Sequence, residues 1–357
     1  MRRTTVTSSR TTPEWVTPVL VLAAVALLVV LPLVVASFYL FLLTRILILG
    51  LFATAFNIVF GFGGMPSLGH AALFGIGGYV VGIAVSKSDL SFPVILVLAL
   101  LSGTALGVVF GLFNLRARGI YLLLLTLALA QAVHGLAYQQ VALTGGDNGI
   151  SGITREGLPV PTSAPAFYWF TLVLVAMSLA LMWTFMRSPV GMVITALRES
   201  ESRLSATGYR VGGYRVAAFA VSGAFSALAG LLDTYLLGSV SPSSVAFLLS
   251  AEVVVFAILG GARYFLGPLL GAAIILALEF YVSSYTTRWT VVLGVLYVLT
   301  ALFMQDGVLG RVTQLSRRLR RTNVKPAPLE AEIPRPDEMP VLMKPDEMPV
   351  LMKEVQS

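Results

Sequence analysis

The chain has 357 residues, 57% hydrophobic and 11% charged, with a formal net charge of +7 and no cysteine. That ratio excludes an ordinary soluble domain, and the missing thiols exclude a disulfide framework, a metal-thiolate site and a cysteine nucleophile. The basic surplus suits the anionic headgroups of a lipid bilayer rather than a nucleic-acid groove.

A hydrocarbon core about 30 Å thick needs about 20 apolar residues per helix. Apolar runs predict ten spans, over 17–36, 38–60, 68–86, 92–114, 120–141, 166–186, 214–237, 245–261, 266–284 and 290–304. The first run is long enough to span and lacks a small-residue cleavage site, so it reads as a retained helix behind a cytoplasmic segment 1–16. With Arg2, Arg3 and Arg10 inside, every second loop faces the cytoplasm. Those loops collect Arg116, Arg118, Arg187, Arg198, Arg203, Arg210, Arg215 and Arg263, whereas Lys87, Arg155 and Arg288 fall outside.

In chain order, the first informative stretch is 57–79, which sets Gly61, Gly63, Gly64, Pro66 and Gly69 into a spanning region. Backbone groups freed by helix breakers at that depth must meet neighbouring helices or water. The stretch therefore reads either as a broken helix lining a pathway or as close packing through small residues. Packing explains Gly103, Gly107 and Gly111, which share one helix face, and likewise Gly78 with Gly82 and Gly267 with Gly271. A bulky residue at Gly107 is expected to separate two helices and to disrupt assembly rather than solute affinity. In the fifth span Gln131, His134 and Tyr138 form one polar stripe, with Thr126 offset, that faces protein or water. The outside loop from Thr144 to Pro165 is rich in turn formers and either receives an external protein or is simply solvated.

The connection 187–215 predicts a helix over 191–206, with Val193, Ala196, Leu197 and Leu204 near one side and Arg198, Glu201 and Ser202 on another. Gly208 stands where it can end that helix. Such a helix is either a docking knob for another subunit or lies on the headgroups. Arg45, Asp233, Glu252 and Glu279 are ionisable groups inside spans, where each costs about 2.5 to 3.5 kcal/mol on insertion scales. Beyond the last span the segment 311–357 is basic and then Pro-rich, and 336–344 recurs as 345–353, so this tail is predicted to be disordered.

No energy-converting or catalytic constellation is visible. The lysines follow Ser86, Val324, Met343 and Met352 rather than glycine, so no phosphate-cradling ATPase loop is encoded. His70 and His134 are the two histidines, with no zinc motif, and Gly61, Gly63 and Gly64 break the dinucleotide spacing. The chain is read as non-catalytic, with no cofactor and no metal.

Four ordered segments resemble the permease subunits of ATP-driven importers of branched-chain amino acids, in particular the longer of the two permease types. They are Gly64-Met-Pro-Ser67-Leu68-Gly69-His70-Ala71-Ala72; Gly119-Ile120-Tyr121 through Thr126 to Thr144-Gly145-Gly146-Asp147-Asn148-Gly149-Ile150; the loop 187–208; and Ser250-Ala251-Glu252 through Gly260-Gly261 to Gly267-Pro268 and Gly271-Ala272. Trp289 and the run from Asp306-Gly307 to Gly310 complete a resemblance over about 57–310. It implies a multi-pass subunit of the bacterial inner membrane, paired with a second homologous permease in a heterodimer, two ATP-binding-cassette subunits and a periplasmic solute-binding protein. It also implies that 187–215 couples to the ATPases, through Arg198, Glu199, Glu201, Ala206 and Gly208. Two departures stand out: Glu199-Ser200-Glu201 replaces a carboxylate-amide-carboxylate run, and Arg263 replaces a usual glycine.

The expected fold is an all-α polytopic transmembrane bundle of about ten helices with both termini cytoplasmic and one permease domain, 17–310. A five-plus-five inverted repeat is conceivable, since 61–67 weakly echoes 238–243. The expected mechanism is alternating access, with Asn57, Ser67, Thr126 and Gln131 as candidate pathway wall. Two alternatives stay open: an importer permease for urea, an amide, a sugar or a nucleoside, and an ion-coupled secondary transporter titrating at Glu252 or Glu279.

Overall fold

The computed structural model describes residues 36–88, 90–155, 160–285, 288–303 and 307–311, together with Val30 and Pro32. The segment 1–16, nearly all of the expected first span and the tail with its repeat lie outside the described residues.

The remaining apolar runs form helices. They are α1 (Ser37–Asn57), α2 (His70–Lys87), α3 (Phe92–Phe113), α4 (Ile120–Gln139), the short α5 (Val141–Thr144) and α6 (Ala164–Arg187). After them come α7 (Pro189–Glu199), α8 (Glu201–Ala206), α9 (Val211–Leu237), α10 (Phe247–Gly260), α11 (Gly267–Tyr285) and α12 (Trp289–Phe303). Among the described residues seven helices are long and apolar enough to cross a membrane, and α10 and most of α12 are shorter apolar helices. The result is an all-α polytopic bundle. At 1.5 Å per residue the 14 residues of α10 reach only about 21 Å, short of a full hydrocarbon core. Its missing length is irregular chain, the 3-10 turn Pro242–Val245 after a two-residue strand, β2 (Ser239–Val240).

Local chemistry sets several helix starts. Ser91, Ser163 and Ser188 precede α3, α6 and α7, each with proline in the first turn, where its fixed φ is already helical and its missing N–H is not needed. The expected single helix over 191–206 is corrected to α7 and α8. Ser200 is extended, at φ −166° and ψ 103°, and its Oγ accepts the Arg203 N–H at 3.3 Å, so its side chain starts a new helix instead of continuing the old one.

The loops pair by parity. At one end Arg198 bonds Gly61, Arg118 bonds Glu201, and Arg215 bonds the carbonyls of Asn114, Leu115 and Ala117. At the other, β1 (Ile150–Ser151) pairs antiparallel with β2, Lys87 donates to the Ala142 carbonyl, and Arg155 donates to the carbonyls of Tyr235 and Pro161. Loops expected on the same side of a membrane thus touch one another, as alternating spans require.

The bundle is held by glycine seams around α9. A methyl built on Gly77 of α2 would overlap the Ala227 carbonyl of α9, and one on Gly230 would overlap the Phe74 carbonyl of α2. Gly103 and Gly223 meet in the same reciprocal way across α3 and α9. Lipid offers no hydrophobic drive between helices, so this close backbone approach supplies the dispersion contact that joins them. Gly107 faces Phe219 of the same chain, so its seam closes this subunit internally and is not a joint between subunits.

Candidate functional site

The connector between α6 and α9 is built into the bundle from both of its pieces. Ser188 caps α7 by accepting the Gly191 N–H at 3.3 Å, and Ile194 and Leu197 bury its apolar side. From the last turn of α7, Arg198 Nη1 donates to the Gly61 carbonyl at 2.6 Å. Gly61 lies in a π-helical turn, Ile58–Phe62, that continues α1, so a cation meets the negative end of that helix. The Arg198 stem crosses Gly64, where an added Cβ would stand 2.9 Å from Cγ and 3.1 Å from Cα of Arg198. Gly64 has φ +64°, a conformation that side chains disfavour, so glycine is required there twice over. Partial burial and the neighbouring Arg263 lower the Arg198 pKa, though a guanidinium stays charged at neutral pH.

Glu201 holds the second piece. Its Oε2 accepts from Arg215 at 2.7 Å and its Oε1 from Arg118 at 3.2 Å. Arg215 is 8% exposed and also donates through Nη1 to the carbonyls of Asn114, Leu115 and Ala117 at 3.3 to 3.4 Å, just beyond the end of α3. Sequence reading counted Arg215 only as an inside charge. Its position near the N-terminus of α9, where the helix dipole disfavours a cation, was the available signal that it is used elsewhere. The α8 terminus is a Schellman motif: Gly208 at φ +87° donates to Ser205, and Tyr209 donates to Leu204.

The five expected coupling residues therefore divide. Arg198, itself exposed, and half-buried Glu201 bind the connector to its own bundle, whereas the exposed Glu199, Ala206 and Gly208 make no such side-chain bond among the described residues. Glu199 borders an open groove of about 240 Å³ with Ala196, Ser200, Arg203, Leu204 and Thr207.

The unwound stretch between the π turn and α2, together with the helix ends on either side of it, is held by side chains from three other helices. The Leu68 N–H donates to Thr126 Oγ1 of α4 at 3.1 Å, and the Ala71 N–H donates to Ser250 Oγ of α10 at 2.9 Å. Ser222 of α9 donates to the Ala55 carbonyl at 2.7 Å, which leaves its oxygen to accept from His70 Nε2–H at 3.1 Å. In the neutral ring His70 Nδ1 then accepts from the Ser67 hydroxyl at 2.9 Å, which assigns the proton to Nε2. Thr126→Val is expected to orphan the Leu68 N–H at a cost of about 1–3 kcal/mol, whereas Thr126→Ser keeps the acceptor. Melting of the two variants in detergent measures this, and equal melting temperatures would refute the capping role.

The four candidate wall residues do not form one surface. Asn57, Ser67 and Thr126 are buried, and Asn57 Oδ1 has no hydrogen-bond partner among the described residues. Gln131 is exposed on α4, in a face that repeats at spacings of three and four through Leu124, Ala128, Gln131, Gly135 and Tyr138. Built at Gly135, a Cβ would meet nothing within 4 Å.

The intramembrane charges do come together. Arg45 of α1 acts electrostatically on Asp233 of α9, Glu252 of α10 and Glu279 of α11, and the two glutamates act on Tyr297 of α12. Arg45 Nε and Asp233 Oδ1 are buried without hydrogen-bond partners among the described residues. Arg45 and Glu279 line one cavity, and among the described residues no ion pair within 4 Å joins Arg45 to any of the three carboxylates. At the opposite end from the connector, Arg155 is anchored to the bundle: it donates to Tyr235 at 3.0 Å and stacks 4.1 Å over the Phe167 ring, and its burial lowers its pKa.

The family model described as "Branched-chain amino acid transport system / permease component" matches residues 38–302. The chain is 31% identical over 288 residues to the high-affinity branched-chain amino acid transport system permease protein LivM of Salmonella typhimurium, covering 74% of this chain and 67% of that protein. To the LivM protein of Escherichia coli it is 30% identical over the same shares. The ribose import permease protein RbsC of Haemophilus influenzae is 29% identical over 210 residues, 54% of this chain and 62% of that one. No solved structure matches the chain.

Proposed function

The chain belongs to the family of branched-chain amino acid transport permease components, and from that membership we propose that it is the longer-type permease subunit of an ATP-driven importer. Its solutes are branched-chain or related hydrophobic amino acids. It sits in the bacterial inner membrane with both termini cytoplasmic and a single permease domain, 17–310. It pairs with a second homologous permease, two ATP-binding-cassette subunits that hydrolyse ATP, and a periplasmic binding protein.

The observation that supports coupling is the Arg198 bond to Gly61, which joins the connector to the end of α1. Closure of the ATPases presses on Glu199, Ala206 and Gly208 at the exposed side of α7 and α8. Arg198 carries the displacement to the π turn and the unwound stretch, and Glu201 carries it through Arg118 and Arg215 to the loop that enters α4. The exposed α4 face faces the second permease, because the mid-helix Gln131 would be costly against lipid. In this reading Gln131 lines the path, while Asn57, Ser67 and Thr126 shape it from behind.

ATP-dependent uptake in proteoliposomes carrying all four kinds of subunit tests the reading. The chain purified alone is expected to transport nothing under a proton or sodium gradient. Uphill flux by the isolated chain would replace the importer with the ion-coupled alternative at Glu252 or Glu279. The similarity to a ribose permease supports one second reading, a sugar importer of the same architecture, and competition of uptake by leucine against ribose separates the two.

A further inference from the structure

Three guanidinium groups line one cavity at the connector end of the bundle. It holds about 190 Å³, several times the ~30 Å³ share of one water, and Arg118, Arg198 and Arg215 face a single carboxylate, Glu201. Three positive charges against one negative leave a surplus of two. Among the described residues, Arg118 is bonded only through Nη2 and Arg198 only through Nη1, so each retains donors. Gly119 and Leu122, at the start of α4, form another part of the wall. The α4 N-cap, Gly119, has no side chain to cap the first-turn N–H groups, so the positive end of a 20-residue helix adds to the field.

We propose that this cavity binds a phosphate group. The planar forks of Arg118 and Arg198 and the α4 N-terminus match its charge and its several acceptor oxygens. A zwitterionic amino acid fits less well, because Glu201 is the one carboxylate among the lining residues and its ammonium group would compete there with two guanidinium groups already paired to it. The phosphate comes either from an anionic phospholipid or from solution. The mouth suits the lipid: the Arg118 side chain is 75% exposed, the neighbouring Ile120 and Tyr121 are 66% and 73% exposed, and Met65 and Leu122 supply apolar wall. A phosphate held there bridges the connector, through Arg198, to the loop before α4, through Arg118, and stiffens the joint between them.

The test is binding to the purified full chain, without ATPases, so its failure would leave the importer reading standing. Thermal melting is followed in nanodiscs of phosphatidylcholine titrated with phosphatidylglycerol, and separately in neutral detergent titrated with inorganic phosphate. The wild type is expected to gain melting temperature, with Arg118→Gln weakening the midpoint about tenfold and Arg118→Lys less. Arg203→Gln, whose arginine borders the outer groove instead, is expected to bind as wild type. A response to phosphatidylglycerol alone assigns the lipid source, and a response to inorganic phosphate with the same Arg118 dependence assigns the soluble one. Equal responses of Arg118→Gln and wild type, or no response to either titrant, would overturn the proposal.

Discussion

Replacing Gly107 with leucine is expected to abolish the folded subunit, seen as loss of monodisperse protein on detergent extraction. A methyl at Gly107 already overlaps the Phe219 carbonyl, and the α-carbon of Ala220 stands only 3.0 Å away. Backbone cannot rotate aside as a flexible side chain can, so α3 must lift from α9 along the whole seam that includes Gly103 and Gly111. The penalty lies at or above the ~3 kcal/mol upper end of ordinary overpacking. Because α9 also carries the crossing with α2 at Gly77 and Gly230, the damage extends beyond one pair of helices. Gly135→Leu makes the same chemical change on α4, where nothing lies within 4 Å. It is expected to leave folded yield intact and to reduce co-purification with the second permease. Equal yields of the two variants would refute the seam.

Arg198→Ala is expected to assemble and to keep basal ATP hydrolysis while losing stimulation by loaded binding protein. A hydrogen bond from a charged donor contributes about 1.5–3 kcal/mol. Arg198 is largely solvent-accessible, so screening favours the lower end, and about 1.4 kcal/mol is a tenfold change in docking of the connector. Stimulation and uptake are expected to fall together by about tenfold. Gly64→Ala attacks the same joint from the other side, through its positive φ and its contact with the Arg198 stem, and is expected to give the same phenotype. Arg198→Lys keeps a cation near the Gly61 carbonyl and is expected to recover part of the stimulation. Full stimulation in Arg198→Ala would end the coupling assignment.

The expected spans from 38 onward coincide with helices because apolar run length is a local property, readable wherever about 20 residues must match one bilayer. The glycine stop at Gly208 is local in the same sense: its capping bonds reach only Ser205 and Leu204. The face shared by Gly103, Gly107 and Gly111 follows from helical periodicity, yet periodicity does not say which helix they meet. Ser200 marks the limit of such reading, since an amphipathic pattern runs through it while its side chain caps a new helix.

Composition and periodicity alone established a polytopic helical chain with a long polar connector between two spans, and ordered local motifs carried its resemblance to a permease family, because hydrophobic length and capping act over a few turns of chain. Only the tertiary structure decided that Thr126, Ser222 and Ser250 satisfy the broken helix, that Arg215 clamps Glu201, and that Arg198 reaches Gly61. Those partners lie between 14 and 179 positions apart. A buried donor takes whichever acceptor packing brings within reach, and that choice is made by the crossing of helices rather than by residues adjacent in the chain.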